Sequence, residues 1–414
     1  MTENLKKNNN LIGKIFLPSS KSISNRLLII RFLCENDFEI GNLSNSDDTK
    51  ILEKTLYKIK NSSKKDEFIK FNIGNSGTSI RFLTSLLSTQ KGKFIIDCSE
   101  RMKKRPIFIM VKALRELGAD IEFLEKKNFF PLKIIGKNLI SKTVEMDANI
   151  SSQFISSLLL IAPILPDGLK IILNKKIVSS PYIDLTLSLL KEFGIKFYRK
   201  KNEISIKKGA FLEKNFFVES DWSSASYWYE FASFSENVNL EIYGLKEKSL
   251  QGDKIVHEIF KKFSIETFFK KNSIILKKNF FIKTTIFFKF DFSDCPDLVQ
   301  TVVVTLCFLK IPFEISGLET LKYKESSRVE TLQLELKKFG FILKYDGKIL
   351  SWKINDFIIN KNKNIFIETH DDHRIAMAFA PVILKNYNLK FNNPEVVNKS
   401  YPNFWKEIKI MRNF

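Results

Sequence analysis

Six segments of the chain begin with small polar or charged residues and continue directly into apolar residues at helical spacing. Three lie in the first half: SSKSISNRLLII from Ser19, GNSGTSIRFL from Gly74 and SSQFISSLLL from Ser151. Three lie in the second half: DWSSASYWYEFA from Asp221, DCPDLVQTVVV from Asp294 and DDHRIAMAFA from Asp371. After a first interval of about 55 residues they recur roughly every 70 to 80 residues, the length of a small αβ unit. The pattern predicts six helices, each with a polar first turn.

A second, more amphipathic set of helices is predicted between them. These segments read RPIFIMVKALRELG, SPYIDLTLSLLKEFG and ESSRVETLQLELKKFG, and each ends in a glycine, which commonly terminates a helix. Runs such as KFIID, LKIIL and FFVE are typical of strands. Residues Thr301–Thr305 alone favour a strand, so the helix predicted there depends on the repeat. Together these elements predict about six αβ repeats, three in each half.

The chain length of 414 residues exceeds what one hydrophobic core usually serves, so two or three domains are expected. The best boundary lies around Val218–Trp222, where a predicted strand meets the fourth polar-start helix. We therefore infer an α/β protein of two similar lobes.

Basic residues stand at the polar helix starts, where the fold alone does not favour them. In LPSSKSISNR, Pro18 ends a predicted strand, which places Lys21 and Arg26 in the first turns of a helix. The free N–H groups and the helix dipole already make that end positive. Cations recur near other helix starts, at Arg81, Arg105, Arg328 and Arg374. Converging helix starts would bind an anion. The alternative is six ordinary N-caps with solvated cations, but capping explains the Ser, Asn and Asp residues and not the cations.

Composition narrows the class of protein. The segment MTENLKKNNN lacks an apolar signal, and the longest apolar run, near Leu158–Leu165, is too short to span a bilayer. These features predict a soluble cytoplasmic protein without a membrane partner. The cysteines (Cys34, Cys98, Cys295 and Cys307) are scattered in apolar surroundings, which predicts reduced and mostly buried thiols. The histidines (His257, His370 and His373) offer no metal cluster.

The net charge of +21 would suit a nucleic-acid binder. The lysines are spread along the chain, however, and no nucleic-acid motif accompanies them. A surface enriched in lysine by compositional bias, together with a phosphate-rich small substrate, explains the charge equally well. We therefore expect no nucleic-acid partner.

Ten motifs in order resemble the family of 5-enolpyruvylshikimate-3-phosphate (EPSP) synthases. From Leu17 to Phe404 they are LPSSKSISNR, GNSGTSIRFL, RMKKRPI, SSQF, SSPYID, ESDWSSASY, CPD, KESSR, DDHRIAM and KSYPNF. The resemblance implies the enolpyruvyl transferase fold, with three βαβαββ repeats in each lobe and helices that converge on an interlobe cleft. It also implies a discontinuous lobe I of residues 1–18 and 221–414, a lobe II of residues 19–220, and an active site in the cleft.

The resemblance implies a reaction as well. The enolpyruvyl group of phosphoenolpyruvate would move to the 5-hydroxyl of shikimate-3-phosphate, through a tetrahedral intermediate, with release of phosphate. This transferase belongs to the shikimate pathway of aromatic amino-acid biosynthesis. Family members use no cofactor, and we expect a cytoplasmic monomer that glyphosate inhibits in competition with phosphoenolpyruvate.

Carried over motif by motif, the resemblance assigns roles to residues. Asp297 matches the proton acceptor, Glu325 matches the group that exchanges protons with the methylene carbon, and Lys21 is a further candidate for proton transfer. Without the resemblance, Asp297 would be a capping residue and Glu325 an exposed charge in a first helical turn. The residues implied to bind shikimate-3-phosphate are Lys21, Ser22, Arg26, Ser151, Ser152, Gln153, Ser179, Asp297, Thr320 and Lys324. Those implied to bind phosphoenolpyruvate are Lys21, Asn75, Gly77, Arg105, Gln153, Arg328, Arg374 and Lys399.

Four positions depart from the pattern of some family members. They are Thr320 in place of Asn, Phe82 in place of Pro, Ser180 in place of Lys, and Trp222 in place of a small residue. None removes a charged group from the implied chemistry.

Two alternative functions are weighed. The related UDP-N-acetylglucosamine enolpyruvyl transferase relies on a cysteine in a mobile loop, but the comparable loop Arg101–Arg105 has none, and Cys98 ends a strand. The second alternative is a non-catalytic basic binding protein of the same fold, against which the intact Asp297, Glu325 and arginine set argue.

Overall fold

The computed structural model describes residues 10–62, 67–281 and 284–412, and the chain forms two compact units. Unit 1 comprises Met1–Ser20 and Glu219–Phe414, and unit 2 comprises Lys21–Val218. The expected boundaries fell after residues 18 and 220. Ser19 pairs with Ser220, and the Ser20 N–H donates to the Glu219 carbonyl at 2.9 Å, which keeps these residues in unit 1. Residues 1–9, most of the N-terminal segment MTENLKKNNN, lie outside the described residues.

The helices, in chain order, are α1 (Lys21–Leu33), α2 (Asp47–Lys60), α3 (Gly77–Thr89), α4 (Glu100–Lys103), α5 (Phe108–Glu116), α6 (Ser152–Ile161), α7 (Ser180–Glu192), α8 (Trp222–Phe234), α9 (Val256–Lys261), α10 (Val299–Phe308), α11 (Arg328–Lys337), α12 (His373–Phe379) and α13 (Phe404–Arg412).

The strands are β1 (Asn10–Phe16), β2 (Ile40–Gly41), β3 (Phe68–Asn72), β4 (Gly92–Asp97), β5 (Asp120–Phe123), β6 (Leu132–Gly136), β7 (Thr143–Asp147), β8 (Leu169–Asn174), β9 (Phe197–Lys200), β10 (Glu203–Ile206), β11 (Phe216–Phe217), β12 (Asn237–Tyr243), β13 (Ile265–Phe269), β14 (Ser273–Lys278), β15 (Phe288–Asp291), β16 (Phe313–Ser316), β17 (Lys344–Tyr345), β18 (Leu350–Trp352), β19 (Asn364–Ile367) and β20 (Asn388–Phe391).

Among the described residues, unit 1 contains three sheets, with strand orders β1-β12-β14-β13, β15-β16-β18-β17 and β19-β20. In each four-stranded sheet the first pair is parallel and the other pairs are antiparallel, as a βαβαββ repeat requires. The parallel register of β1 and β12 runs from Asn10 opposite Asn237 to Phe16 opposite Tyr243.

Unit 2 repeats this plan, with strand orders β3-β4-β6-β5, β7-β8-β10-β9 and β11-β2. The α/β fold class is therefore confirmed, with one refinement. The third repeat of each unit has a two-stranded parallel sheet among the described residues, where four strands were expected. Short strands of two to four residues explain why these pairs left little pattern in the sequence.

The six polar-start helices are confirmed as α1, α3, α6, α8, α10 and α12. In α8 every residue is buried, because the helix lies in the core of unit 1. Its start is fixed by Asp221, whose carboxylate accepts a hydrogen bond from the Ser224 N–H at 3.1 Å. The β-branched segment Thr301–Thr305 lies within α10, so the repeat predicted it correctly where local propensity did not.

The amphipathic helices α5, α7 and α11 are also confirmed. Gly340 follows α11 with φ at +96°, and a Cβ there would lie 1.9 Å from the Ile358 carbonyl oxygen, so only glycine fits. Trp222 is fully buried, and its ring lies 6.3 Å from that of Phe269, so this departure from the family pattern fills the core of unit 1.

Two absences apply to the described ranges. No helix there is both long and apolar enough to cross a membrane. No group of three or more His, Cys, Asp or Glu side chains within the same ranges could hold a metal ion. All four cysteines are free thiols, and Cys98, Cys295 and Cys307 are buried, as predicted.

Candidate active site

Asp297 accepts hydrogen bonds from three cationic side chains of unit 1. It lies in a single 3₁₀ turn, Pro296–Leu298, that leads into α10. Its Oδ1 lies 2.9 Å from Nη1 of Arg328 and 3.2 Å from Nζ of Lys324, and its Oδ2 lies 2.9 Å from Nη2 of Arg374. The structure therefore shows a charged cluster where a simple cap was the alternative.

Glu325 connects the cluster to Lys399. Its Oε2 accepts a hydrogen bond from Nη2 of Arg328 at 3.0 Å, and its Oε1 accepts one from Nζ of Lys399 at 2.9 Å. The side chain is only 14% exposed, so Glu325 is not the exposed helix-start charge of the alternative interpretation. The KESSR and KSYPNF motifs thus meet through this one carboxylate.

Asp372 is a member of the cluster that the sequence did not assign to the site. It caps α12 through a 3.0 Å bond from the Arg374 N–H, and it accepts bonds from Nε and Nη2 of Arg328 at 2.7 and 3.2 Å. The hydroxyl of Ser326 also donates to Asp372, at 3.0 Å. The signal available in the sequence was the aspartate before the helix in DDHR, which is typical of an N-cap.

The cations set the electrostatics of the cluster. Burial alone would raise the pKa of Asp297, but the charges of Arg374, Lys324 and Arg328 hold that pKa well below its ordinary value. Burial also lowers the pKa of Lys324, in part against the attraction of Asp297. Burial would lower the pKa of Arg328 as well, but Asp372, Glu325 and Asp297 outweigh burial and raise it. Among these cations Asp297 is therefore an ionised but weak base.

Two further groups border this cluster. Burial, followed by the charge of Asp297, raises the pKa of Asp253 to about 6, while Arg374 opposes that shift. The Tyr227 hydroxyl lies 3.5 Å from Nη1 of Arg374.

Thr320 is buried, and its hydroxyl has no hydrogen-bond partner among the described residues. Thr320 therefore offers a buried polar atom at a position implied to bind substrate.

Gly77 of unit 2 begins α3 beside two guanidinium groups. A Cβ at this position would lie 2.7 Å from Nη1 of Arg105 and 2.8 Å from Nη1 of Arg81. Arg81 also donates to Oε1 of Gln153 at 2.7 Å, and the Gln153 amide donates to the Thr78 hydroxyl at 2.9 Å. The structure thus brings together three implied phosphoenolpyruvate residues, Gly77, Arg105 and Gln153. It adds Arg81, which the sequence showed only as one of the recurring cations.

The helix starts of unit 2 place the other implied residues. Lys21 pairs with the buried Asp48 at 3.0 Å, a partner that the sequence did not reveal. Ser179 precedes α7 in the left-handed region, with φ of +56° and ψ of +38°, a strained backbone of the kind that concentrates at functional sites. Ser151 caps α6 by accepting from the Gln153 N–H at 3.3 Å. The remaining implied residues are Ser22 and the buried Arg26 in α1, Ser152 in α6, and Asn75, whose side chain accepts from the Ser99 hydroxyl.

The Ser180 departure has a cationic neighbour. Nη2 of Arg199 donates to the Ser180 hydroxyl at 2.7 Å, and Arg199 also forms an ion pair with Asp184. Arg199 therefore places a positive charge beside the position where a lysine is frequent in the family. Arg199 lies on strand β9, outside the SSPYID motif, so the motif alone did not reveal this contact.

Two compact units of βαβαββ repeats, with carboxylates and cations at the starts of their core helices, define the class of enolpyruvyl transferase folds. The chain matches the family model described as EPSP synthase (3-phosphoshikimate 1-carboxyvinyltransferase) over residues 5–408. The chain belongs to this family.

Relatives agree along most of the chain. It is 43% identical over 397 residues to the 3-phosphoshikimate 1-carboxyvinyltransferase of Bacteroides fragilis (strain YCH46). The aligned region covers 95% of this chain and 94% of that protein. The chain is 36% identical over 422 residues to the protein of the same name from Buchnera aphidicola subsp. Cinara cedri (strain Cc), with coverage of 95% and 93%. The solved EPSP synthase of Acinetobacter baumannii has the same fold, with a TM-score of 0.73 at 21% identity and coverage of 98% and 97%.

Proposed function

We propose that the chain is an enzyme that transfers the enolpyruvyl group of phosphoenolpyruvate to the 5-hydroxyl of shikimate-3-phosphate and releases phosphate. Family membership supports the reaction, and the single structural observation that carries it is the cluster around Asp297. That cluster holds two carboxylates suited to proton transfer, Asp297 and Glu325, among cations suited to phosphate and carboxylate groups.

The acid–base roles follow from the two steps of the reaction. In the addition step Asp297 takes the proton of the 5-hydroxyl, whose oxygen bonds to the central carbon of phosphoenolpyruvate while Glu325 protonates the methylene carbon. The product is a tetrahedral ketal. In the elimination step Glu325 removes a proton from the new methyl group, and phosphate leaves with the electrons of its C–O bond. The released phosphate takes up the proton held by Asp297, which returns both carboxyl groups to their starting states. Each step is a proton transfer coupled to a C–O bond change, so no cofactor is required.

Phosphoenolpyruvate itself would make Asp297 a better base. Arg328, Arg374 and Lys399 are paired with Asp297 and Glu325 in unit 1. We propose that the phosphate and carboxylate of the substrate share these cations on binding. The positive field at Asp297 then weakens, and its depressed pKa rises towards the value needed to accept a proton.

We propose that unit 2 also carries substrate-binding residues. Arg105, Gln153 and the backbone at Gly77 would bind phosphoenolpyruvate. Ser151, Ser152 and Ser179 would bind the phosphate and hydroxyls of shikimate-3-phosphate, with Ser22 and Arg26. Lys21 is close enough to Asp48 to be held in place, and it remains a further candidate for proton transfer.

The enzyme is proposed to act as a cytoplasmic monomer, with no membrane or nucleic-acid partner. The lysines are scattered along the chain, which argues against a nucleic-acid partner.

The rival that acts on UDP-N-acetylglucosamine is not favoured by the comparisons or by the cysteine chemistry. Burial, followed by the charge of Asp97, raises the pKa of Cys98 to about 12, so this thiol is a poor nucleophile or proton donor near pH 7.

The test is phosphate release from phosphoenolpyruvate with shikimate-3-phosphate as acceptor, with UDP-N-acetylglucosamine as the control acceptor and with no acceptor as the blank. We expect release with shikimate-3-phosphate only. Release with the control acceptor only would assign the rival function, and binding of both substrates without release would indicate a non-catalytic protein.

A further inference from the structure

Arg26 is a buried cation without an ion pair among the described residues. Its side chain is 2% exposed, and burial lowers the pKa of the guanidinium to about 10, so it remains charged at neutral pH. Every hydrogen bond that it donates ends on a neutral oxygen. A buried charge with neutral partners alone is costly to the fold, and a ligand anion would relieve that cost.

Three helices fix the position of this guanidinium. Nε donates to the Thr186 hydroxyl of α7 at 2.7 Å, and Nη2 donates to the Ser156 hydroxyl of α6 and to the Tyr182 carbonyl, both at 3.1 Å. Nη1 donates to the carbonyl of Ser22 in α1 at 2.8 Å. A guanidinium has five N–H groups, so these bonds leave one N–H on Nη1 for a ligand. The Phe82 ring, 5.4 Å from Cζ, covers the group from α3.

Thr186 is the residue on which this arrangement depends. Its hydroxyl accepts the shortest of the Arg26 bonds, and it donates its own proton to the Tyr182 carbonyl at 3.0 Å or to the Ser156 hydroxyl at 2.9 Å. Thr186 and Ser156 are both fully buried, so neither oxygen has water as an alternative partner. Loss of the Thr186 hydroxyl would leave the Arg26 Nε–H without its acceptor, and the guanidinium would turn to find another.

We propose that Thr186 is a positioning residue for substrate binding, which holds Arg26 so that its remaining Nη1 N–H and its unpaired charge are presented to the anionic acceptor substrate. The inference rests on the proposed function, because it takes that substrate to be shikimate-3-phosphate. Ser156 supports the same orientation through Nη2. Thr186 itself does not touch the substrate.

The substitutions Thr186→Val and Thr186→Ser separate the hydroxyl from the shape of the side chain. Valine keeps the branched shape and loses the hydroxyl, whereas serine keeps the hydroxyl and loses a methyl group. The readouts are the dissociation constant for shikimate-3-phosphate by calorimetry and the KM values for both substrates. We expect Thr186→Val to weaken the binding of shikimate-3-phosphate about tenfold, because the hydrogen bond that orients the charged Arg26 is lost. The KM for phosphoenolpyruvate should stay within about twofold of the parent, because Arg26 is implied to bind the acceptor substrate only. We expect Thr186→Ser to bind both substrates nearly as the parent does.

Several results would overturn the inference. Thr186→Val could bind shikimate-3-phosphate as tightly as the parent, or both KM values could rise equally, which would indicate a general structural role. If Thr186→Val does not fold, Ser156→Ala provides the second variant, and it must weaken shikimate-3-phosphate selectively for the proposal to stand. A parent protein that binds no shikimate-3-phosphate would refute the proposed function itself, and this inference with it.

Discussion

Replacement of Gly77 by alanine tests whether the arginines beside α3 bind phosphoenolpyruvate. Gly77 is the first residue of α3 and does not have a left-handed backbone, so the backbone conformation itself accepts alanine. The added methyl carbon would lie 2.7 Å from Nη1 of Arg105, 2.8 Å from Nη1 of Arg81 and 3.3 Å from Cζ of Arg105. The clashing atoms are the ends of long side chains, so we expect the two buried guanidinium groups to move, at some cost to the hydrogen bonds that Arg81 donates to Gly77 and Gln153.

The size of the effect follows from these distances. Ordinary van der Waals contact begins near 3.4 Å, so Nη1 of Arg105 must move by at least about 0.7 Å and Nη1 of Arg81 by about 0.6 Å. A charge-assisted hydrogen bond contributes about 1.5 to 3 kcal/mol, and displacement should remove roughly half of one. That loss corresponds to a rise of about four- to twelvefold in the KM for phosphoenolpyruvate. Inhibition by glyphosate, the longer ligand, should weaken more than substrate binding does.

The assay is steady-state phosphate release with phosphoenolpyruvate varied at saturating shikimate-3-phosphate, repeated with glyphosate present. Gly209→Ala is the matched control, because a Cβ there meets only Cδ1 of Ile195, at an ordinary 3.4 Å. The control should behave as the parent does. A Gly77→Ala enzyme with parental KM and parental inhibition would refute the reasoning, since the methyl group would then border no ligand-binding cation.

Three further predictions address the catalytic carboxylate and two buried acids. Asp297→Asn should keep shikimate-3-phosphate binding and lower kcat about a hundredfold or more, because the amide cannot accept the hydroxyl proton. Substitution of the exposed Asp294 by asparagine is the control. Near-parental turnover of Asp297→Asn would assign the base to another residue. Burial raises the pKa of Glu407 from 4.5 to about 7, against the Tyr401 hydrogen bond, so the stability that Glu407 contributes below pH 4.5 is lost as pH rises through 7. Between pH 5 and 8 the unfolding free energy of Glu407→Gln, measured in urea, should therefore rise relative to the parent by up to about 3 kcal/mol. A difference that does not depend on pH would contradict this. Both carboxyl oxygens of the fully buried Glu230 lack partners among the described residues, so Glu230→Met should raise the unfolding free energy by about 1 to 3 kcal/mol at pH 7, and a loss would show that the carboxyl is satisfied.

Local chemistry made much of the fold predictable. Polar caps followed by apolar helical spacing are short-range signals, so the six core helices could be predicted, and the repeat overruled the strand propensity of Thr301–Thr305. The two-residue strands β2 and β11 are too short to leave an alternating pattern, so the reduced third repeat of unit 2 could not be predicted. The boundary shift at Ser19 and Ser220 depends on pairing between residues about 200 positions apart, which local pattern does not encode.

The residues of the candidate site could likewise be predicted from the sequence, whereas their contacts could not. Motifs identified which residue types stand at the helix starts, because those positions are contiguous in sequence. They did not reveal partners. Asp372 and Arg328 are 44 residues apart, and Arg26 and Thr186 are 160 apart, so their contacts exist only once the helices are assembled. The depressed pKa of Asp297 likewise depends on cations from two other segments, Lys324 and Arg328 of KESSR and Arg374 of DDHR.

The most direct test of the central claim is to identify the product. Phosphoenolpyruvate labelled with ¹³C at its central carbon is mixed with shikimate-3-phosphate and the protein, and the reaction is followed by ¹³C and ³¹P nuclear magnetic resonance. The proposed chemistry predicts a new labelled enol ether carbon attached to the 5-oxygen of the acceptor, in equal amount to the phosphate released. Labelled pyruvate in place of the enol ether, or a labelled carbon attached to another oxygen, would contradict it.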